Sequence, residues 1–300
     1  MNTASDPFGA LLKSAKTQDM VAFAKLLTWV DRQGPAALNR AELLNPDHLA
    51  FRIGITGPPG AGKSTLVSGL IKAFREQGLR IGVLAVDPSS PISQGAILGD
   101  RIRYSEHFTD DKVFIRSIGT RGSLGGLSGS SYLMLRAFDA CEFDVVLVET
   151  VGVGQTELDV MYVADCVSVV LVPESGDSIQ AMKAGLMEIA DLFVVNKSDR
   201  PGADQLIREI EMASQLLSEK DKAEVHRVSA LNGEGVEKLA SRLMELSKQN
   251  IWKSKRIAGP RLAHEAKALL RGIWETKLAQ EFAKITTSEQ MQKRVLKEVD

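Results

Sequence analysis

The eight residues Gly57-Pro58-Pro59-Gly60-Ala61-Gly62-Lys63-Ser64 constrain this chain more than any other stretch. They satisfy G-x-x-x-x-G-K-[ST], a phosphate cradle when a strand precedes it and a helix follows. Both flanks are present. Phe51 to Thr56 reads as a short buried strand, and Leu66, Val67, Leu70, Ile71 and Phe74 recur behind the loop at helical spacing. Glycines at 57, 60 and 62 let N–H groups point into one concavity with no side chain in the way. The helix start adds unpaired N–H groups and the positive end of its dipole, where phosphate is favoured. Lys63 is then expected to reach the β- and γ-phosphates and the Ser64 hydroxyl to ligate Mg²⁺, with Thr65 beside it in the nucleotide contact.

The alternation of strand and helix continues downstream. Strands are expected at 80–86, 112–116, 143–148, 167–172, 191–195 and 224–228, with a helix over 236–246. Near-continuous β-branched runs of this kind belong to a parallel sheet covered on both faces. The expected fold is therefore an α/β P-loop NTPase, with a mostly parallel central sheet flanked by helices. Residues 1–50 form a helical lead-in, 51–250 the nucleotide domain and 251–300 a helical arm. In the lead-in, Met20, Val21, Phe23, Ala24, Leu26, Leu27 and Val30 make an apolar stripe with Thr17 as its cap. Gly34-Pro35 breaks that helix, and 36–44 is read as another. The lead-in is expected to cover a sheet edge rather than meet a partner. In the arm, Leu262, Ala266, Leu269, Leu270, Ile273 and Trp274 share a face that either packs on the chain's own core or buries against a second subunit.

Composition narrows the partners. A net charge of −1 gives no overall drive toward nucleic acid or an anionic membrane. The longest apolar run, Cys166 to Pro173, is too short to span a bilayer, and no signal pattern opens the chain, so a cytoplasmic protein is expected. Cys141 and Cys166 lack C-x-x-C spacing and read as inert buried thiols. His48, His107, His226 and His264 lack metal-ligand spacing and read as structural or surface groups, and Trp252 and Trp274 as packing residues.

Two further motifs complete a nucleotide site. Glu149-Thr150-Val151-Gly152 ends a strand, where a carboxylate can hold Mg²⁺ and the Gly152 N–H can sense a γ-phosphate. Asn196-Lys197-Ser198-Asp199 matches N-K-x-D after another strand. The Asp199 carboxylate can accept from guanine N1–H and the 2-amino group, donors that adenine lacks on that edge. Asn196 would brace the loop, Lys197 would lie along the base, and the N–H groups of Ser229, Ala230 and Leu231 would meet guanine O6. Asp87 and Asp100 flank a glycine-containing loop after the second strand and can approach Mg²⁺ or its waters, although Asp87-Pro88 is also a common turn starter. Arg121, in a glycine-rich stretch, is a candidate transition-state arginine.

Together these strings resemble the MeaB/ArgK/MMAA family of P-loop GTPases, the G-protein chaperones of adenosylcobalamin-dependent methylmalonyl-CoA mutase and related acyl-CoA mutases. The most specific is Val148-Glu149-Thr150-Val151-Gly152-Val153-Gly154-Gln155-Thr156-Glu157, joined by 86–90, 97–100 and 122–126. The resemblance implies GTP/GDP and Mg²⁺ as ligands, with Glu149, Asp87 and Asp100 joining Ser64 in the metal shell. It also implies a switch segment at 173–183, with Gln180 and Lys183 relaying nucleotide state to the mutase, and a homodimer that uses the C-terminal arm. Two departures stand out. Ser93-Gln94-Gly95-Ala96 occupies a place where relatives more often carry paired glycines, and Val153 stands where Ras-like proteins carry Gln. Gln155 is then the residue expected to orient water, and intrinsic hydrolysis is expected to be slow without a partner. Two other readings compete: an ATP-dependent kinase or transport ATPase, which Asp199 argues against, and a nickel-insertion GTPase, which would need a Cys/His cluster.

Overall fold

The computed structural model describes residues 6–87, 103–119, 127–150, 156–173, 185–214 and 223–282, with 287, 288, 290 and 292 beyond. Its sheet contains β1 (Phe51–Thr56), β2 (Ile81–Asp87), β3 (Val113–Gly119), β4 (Val145–Thr150), β5 (Cys166–Leu171), β6 (Leu192–Val195) and β7 (Glu224–Arg227). The order is β3-β2-β4-β1-β5-β6-β7, and every pairing is parallel. The expected strands are all present, β1 with the ends expected and the others with shifted ends. β3 runs on to Gly119 because its pairing with β2 continues without a break to Asp87.

Among the described residues the helices are α1 (Pro7–Lys16), α2 (Met20–Gln33), α3 (Ala41–Leu44), α4 (Lys63–Glu76), α5 (Gly129–Ala140), α6 (Thr156–Asp159), α7 (Met187–Ile189), α8 (Ala203–Ser214), α9 (Val236–Lys248), α10 (Ile251–Arg256) and α11 (Gly259–Phe282). They form two layers because successive strand residues face opposite ways. Val146 and Val148 join the layer of α1, α2, α5 and α8, whereas Val145 and Leu147 join that of α4 and α9.

The lead-in covers the β3 end of the first layer. Phe23 stands 4.7 Å from Phe114 of that edge strand, 5.0 Å from Phe138 and 4.9 Å from Phe143. Its cap differs from expectation. Asp19 Oδ1 accepts from the Ala22 N–H at 2.9 Å, while the Thr17 hydroxyl donates back to Ser14 O. The chain reverses at Gln18, whose φ is +70°, so Thr17 belongs to the end of α1. The stretch expected as one helix over 36–44 divides into a 3₁₀ turn, Gly34–Asn39, and the short α3.

Part of the arm's apolar face packs on the chain's own core. Leu269 is buried, His264 Nδ1 lies 2.7 Å from the Tyr132 hydroxyl, and the His264 ring stacks on Tyr162 at 3.8 Å. Leu262, Leu270 and Trp274 are exposed, so Trp274 is not a packing residue within this chain. Trp252 is one, meeting Phe51 edge-on at 5.4 Å. Both cysteines are buried, and burial pushes the Cys141 thiol up to about 12, as expected of inert thiols.

At the amino ends of the strands lies a closed ionic cluster. Arg52 pairs with Asp139, its N–H donates to Asp165 Oδ2 at 2.8 Å, and Arg256 pairs with both aspartates while donating to Ala50 O at 2.6 Å. Arg261 adds a contact to Asp165 at 3.6 Å, so α10 and α11 are tied to the start of β1 and β5. Among the described residues, no helix is long and apolar enough to cross a membrane.

Candidate nucleotide site

The opposite, carboxyl end of the sheet gathers the motifs. β1 is central and delivers the loop 57–62, which passes straight into α4. Gly57 has φ +136°, and a Cβ there would strike the Val170 carbonyl of β5, so the loop lies against the neighbouring strand in a way a larger residue would prevent. Gly62 has φ +81°, and a Cβ there would come within 2.5 Å of Asn196 Nδ2. Lys63 is buried and donates from Nζ to Gly57 O at 2.6 Å and Pro58 O at 3.0 Å. Its ammonium is thus anchored to the carbonyls of the loop whose N–H groups form the cradle.

Register places the acid. Ile55 of β1 is level with Glu149 of β4, which brings that carboxylate beside the start of α4. The Ser64 hydroxyl donates to Glu149 Oε1 at 2.7 Å, and the Tyr104 hydroxyl donates to Oε2. Arg103 Nη1 donates to Ser64 Oγ at 3.1 Å. Burial, with Glu149 next to it, pushes the Tyr104 phenol far above its ordinary range, so it remains a protonated donor. Tyr104 and Arg103 were not legible as site residues. They lie 45 and 46 positions before Glu149 in a stretch with no motif of its own, and only the fold brings them here.

The base end is built from two turns. Asn196 is buried, its Nδ2 donating to Ala61 O at 2.8 Å and its Oδ1 accepting from the Ala230 N–H at 3.0 Å. One side chain therefore joins the phosphate loop, the turn after β6 and the turn after β7. Lys197 takes φ +53°, a left-handed conformation that turns the chain immediately after Asn196. Asp199 is exposed and accepts from the Ser229 hydroxyl at 2.6 Å, which lowers its pKa below the usual carboxylate value. Of the three amides expected to meet a guanine carbonyl, two bond within the protein: Ser229 N–H to Glu234 O, and Ala230 N–H to Asn196. Leu231 is the outermost of the three, 87% exposed.

Pro58 and Ala61 are buried, whereas Pro59, Gly60 and Thr65 are exposed along the rim. The backbone of Asp87 ends β2 beside β4, whose Glu149 is level with Ala85. Asp100, Arg121, Gly152, Gln155, Gln180 and Lys183 lie outside the described residues, as does the Asp87 side chain.

The donors fit Mg²⁺. A hydroxyl and a carboxylate oxygen sit 2.7 Å apart next to a phosphate cradle, and Mg²⁺ selects hard oxygen ligands and keeps several waters. Among the described residues, no cluster of three or more His, Cys, Asp or Glu could hold another metal.

A parallel sheet whose central strand feeds a glycine loop and helix defines the P-loop NTPase fold. The sequence profile of the family described as methylmalonyl-CoA mutase-associated GTPase MeaB matches residues 23–286, and the chain belongs to that family of GTPases. A protein of Pyrococcus horikoshii named as a GTPase is 45% identical over 276 residues, 89% of this chain and 87% of its own. The methylmalonic aciduria type A homolog of Mus musculus, named as mitochondrial, is 38% identical over 239 residues, 78% of this chain and 56% of its own. Among solved structures, an LAO/AO transport system kinase superposes with a TM-score of 0.64 at 26% identity, covering 95% of this chain and 88% of that one.

Proposed function

We propose that this GTPase is the G-protein chaperone of an adenosylcobalamin-dependent acyl-CoA mutase of the methylmalonyl-CoA type, hydrolysing GTP to GDP and phosphate to gate cofactor loading. The observation that carries the nucleotide chemistry is the bridge through Asn196, which couples the 57–64 cradle to the 196–199 turn. The family description and the mouse relative's name support the mutase as client.

In this reading the β- and γ-phosphates lie over the loop amides, and Lys63 exchanges its bonds to Gly57 O and Pro58 O for phosphate oxygens. Ser64 and Glu149 would hold Mg²⁺ together with Asp87 and Asp100, and the ion would supply positive charge against the phosphates. The Gly152 N–H senses the γ-phosphate and Gln155 orients the attacking water. Asp199 reads the guanine edge, its carboxylate exchanging the Ser229 hydroxyl for base N–H donors. Gln180 and Lys183 carry the nucleotide state to the mutase.

The protein acts in the cytoplasm as a homodimer, supported by the arm's exposed Leu262, Leu270 and Trp274. Turnover alone is slow and partner-stimulated. Adding purified methylmalonyl-CoA mutase should raise GTP turnover by about tenfold or more, well within what a partner can supply. An unchanged rate, with no complex in either nucleotide state, contradicts the chaperone reading and leaves the GTPase assignment standing.

A further inference from the structure

We infer that Tyr104 is a positioning residue that sets the Glu149 carboxylate for the metal shell of the bound guanine nucleotide. The inference rests on the reading of Ser64 and Glu149 as magnesium ligands. Tyr104 is 1% exposed, its ring lies in the apolar layer with Ile55, Leu66 and Val83, and its hydroxyl donates to Glu149 Oε2. The other oxygen, Oε1, faces Ser64 Oγ at 2.7 Å. A carboxylate on the three rotatable bonds of Glu would otherwise swing, so a donor on the far oxygen decides which way the near one points.

The donor is itself held. Just after Tyr104, His107 Nε2 lies 2.7 Å from Ser68 Oγ, Glu106 pairs with Lys72 at 2.6 Å, and Asp110 accepts from Arg75 Nε at 2.8 Å. Ser68, Lys72 and Arg75 all belong to α4, the helix that opens with Lys63 and Ser64. Both arms of the clamp on Glu149 thus hang from one helix, so the Tyr–Glu–Ser geometry moves as a unit with the phosphate loop. A phenol also suits the task chemically. It orients the carboxylate by a hydrogen bond from an uncharged donor and leaves the negative charge for a cation, whereas a Lys or Arg at 104 would neutralise it.

The test is the Mg²⁺ dependence of GDP release, followed with a fluorescent GDP analogue. In Tyr104→Phe the Mg²⁺ concentration for half-maximal slowing of release should rise by about tenfold, as expected from losing one hydrogen bond to a charged group. GDP affinity in EDTA should stay at the wild-type value. Glu149→Gln should abolish the Mg²⁺ effect, and Tyr104→Phe should add nothing in that background. If Glu149→Gln keeps the wild-type Mg²⁺ dependence, the metal reading itself fails. If Glu149→Gln loses it while Tyr104→Phe keeps the wild-type midpoint, the positioning role alone is overturned. Should Tyr104→Phe fail to fold, the wild-type chain still decides. It has three tyrosines, so in 3-fluorotyrosine-labelled protein the Tyr104 ¹⁹F resonance can be assigned by elimination with Tyr132→Phe and Tyr162→Phe. That resonance should shift when Mg²⁺ is added to the GDP complex; a stationary one overturns the inference.

Discussion

At the amino ends of the strands, Asp139 and Asp165 face Arg52, Arg256 and Arg261; at the carboxyl ends, Glu149 accepts from the hydroxyls of Ser64 and Tyr104. Both places bury carboxylates, yet the partners differ in kind. Guanidinium groups neutralise an acid. Hydroxyls orient it and leave its charge for an incoming cation. The first arrangement ties the C-terminal helices to β1 and β5; the second makes a site. Burial of an acid, taken alone, does not separate structure from function, whereas the charge of its partners does.

Breaking the closed end should have the larger effect on stability. Asp165→Ala leaves Arg52, Arg256 and Arg261 short of an anion and should destabilise the fold by about 3–5 kcal/mol in urea unfolding. GDP affinity of the fraction that remains folded should be unchanged, since the cluster lies at the other end of the sheet.

The open end should show the converse. Ser64→Ala removes a hydroxyl from Glu149 and should weaken Mg²⁺-dependent GDP binding by about 10- to 100-fold, read by calorimetry with and without EDTA. Its unfolding midpoint should stay close to wild type. A Ser64→Ala protein that lost stability rather than Mg²⁺-dependent affinity would erase the distinction between the two ends.

The smallest effect should come from the polar support beneath the site. Burial holds the His107 pKa below its ordinary 6.5, against the pull of Glu106 and Asp110 and with Lys72 adding to the depression. As pH falls through 6.5 the unfolded chain takes up the proton first, so this contribution is complete above 6.5 and is lost progressively below it. His107→Gln should flatten the dependence of unfolding free energy on pH in that window. An identical slope in both proteins would show that His107 titrates there as in the unfolded chain.

How much of this was legible depended on how far apart in the chain the cooperating residues lie. The phosphate loop and the 196–199 turn announce themselves because each is contiguous and its spacing is imposed by a ligand. The fold followed from the alternation of apolar runs with helical stripes, such as Phe51 to Thr56 ahead of the helix-spaced Leu66, Val67, Leu70, Ile71 and Phe74. Tyr104 carried no signal, because its meaning comes from Glu149, 45 positions away. The ionic cluster was equally invisible, since Arg256 meets Asp165 across 91 positions and Ala50 across 206. Thr17 and Asp19 compete for one helix start, and the left-handed Gln18 that decides between them is a backbone property. Leu269 and Leu270 are neighbours on the same predicted face, yet one is buried and the other exposed, because α11 meets only part of its own chain.

The measurement that bears most directly on the central claim is competition between guanine, adenine and xanthine nucleotides in the wild type and in Asp199→Asn. A carboxylate matched to two base donors should favour GDP over ADP by about 10⁴-fold, and Asp199→Asn should transfer that preference toward XDP. Equal affinity of the wild-type protein for ADP and GDP, or an Asp199→Asn variant that still prefers GDP as strongly, would contradict the account.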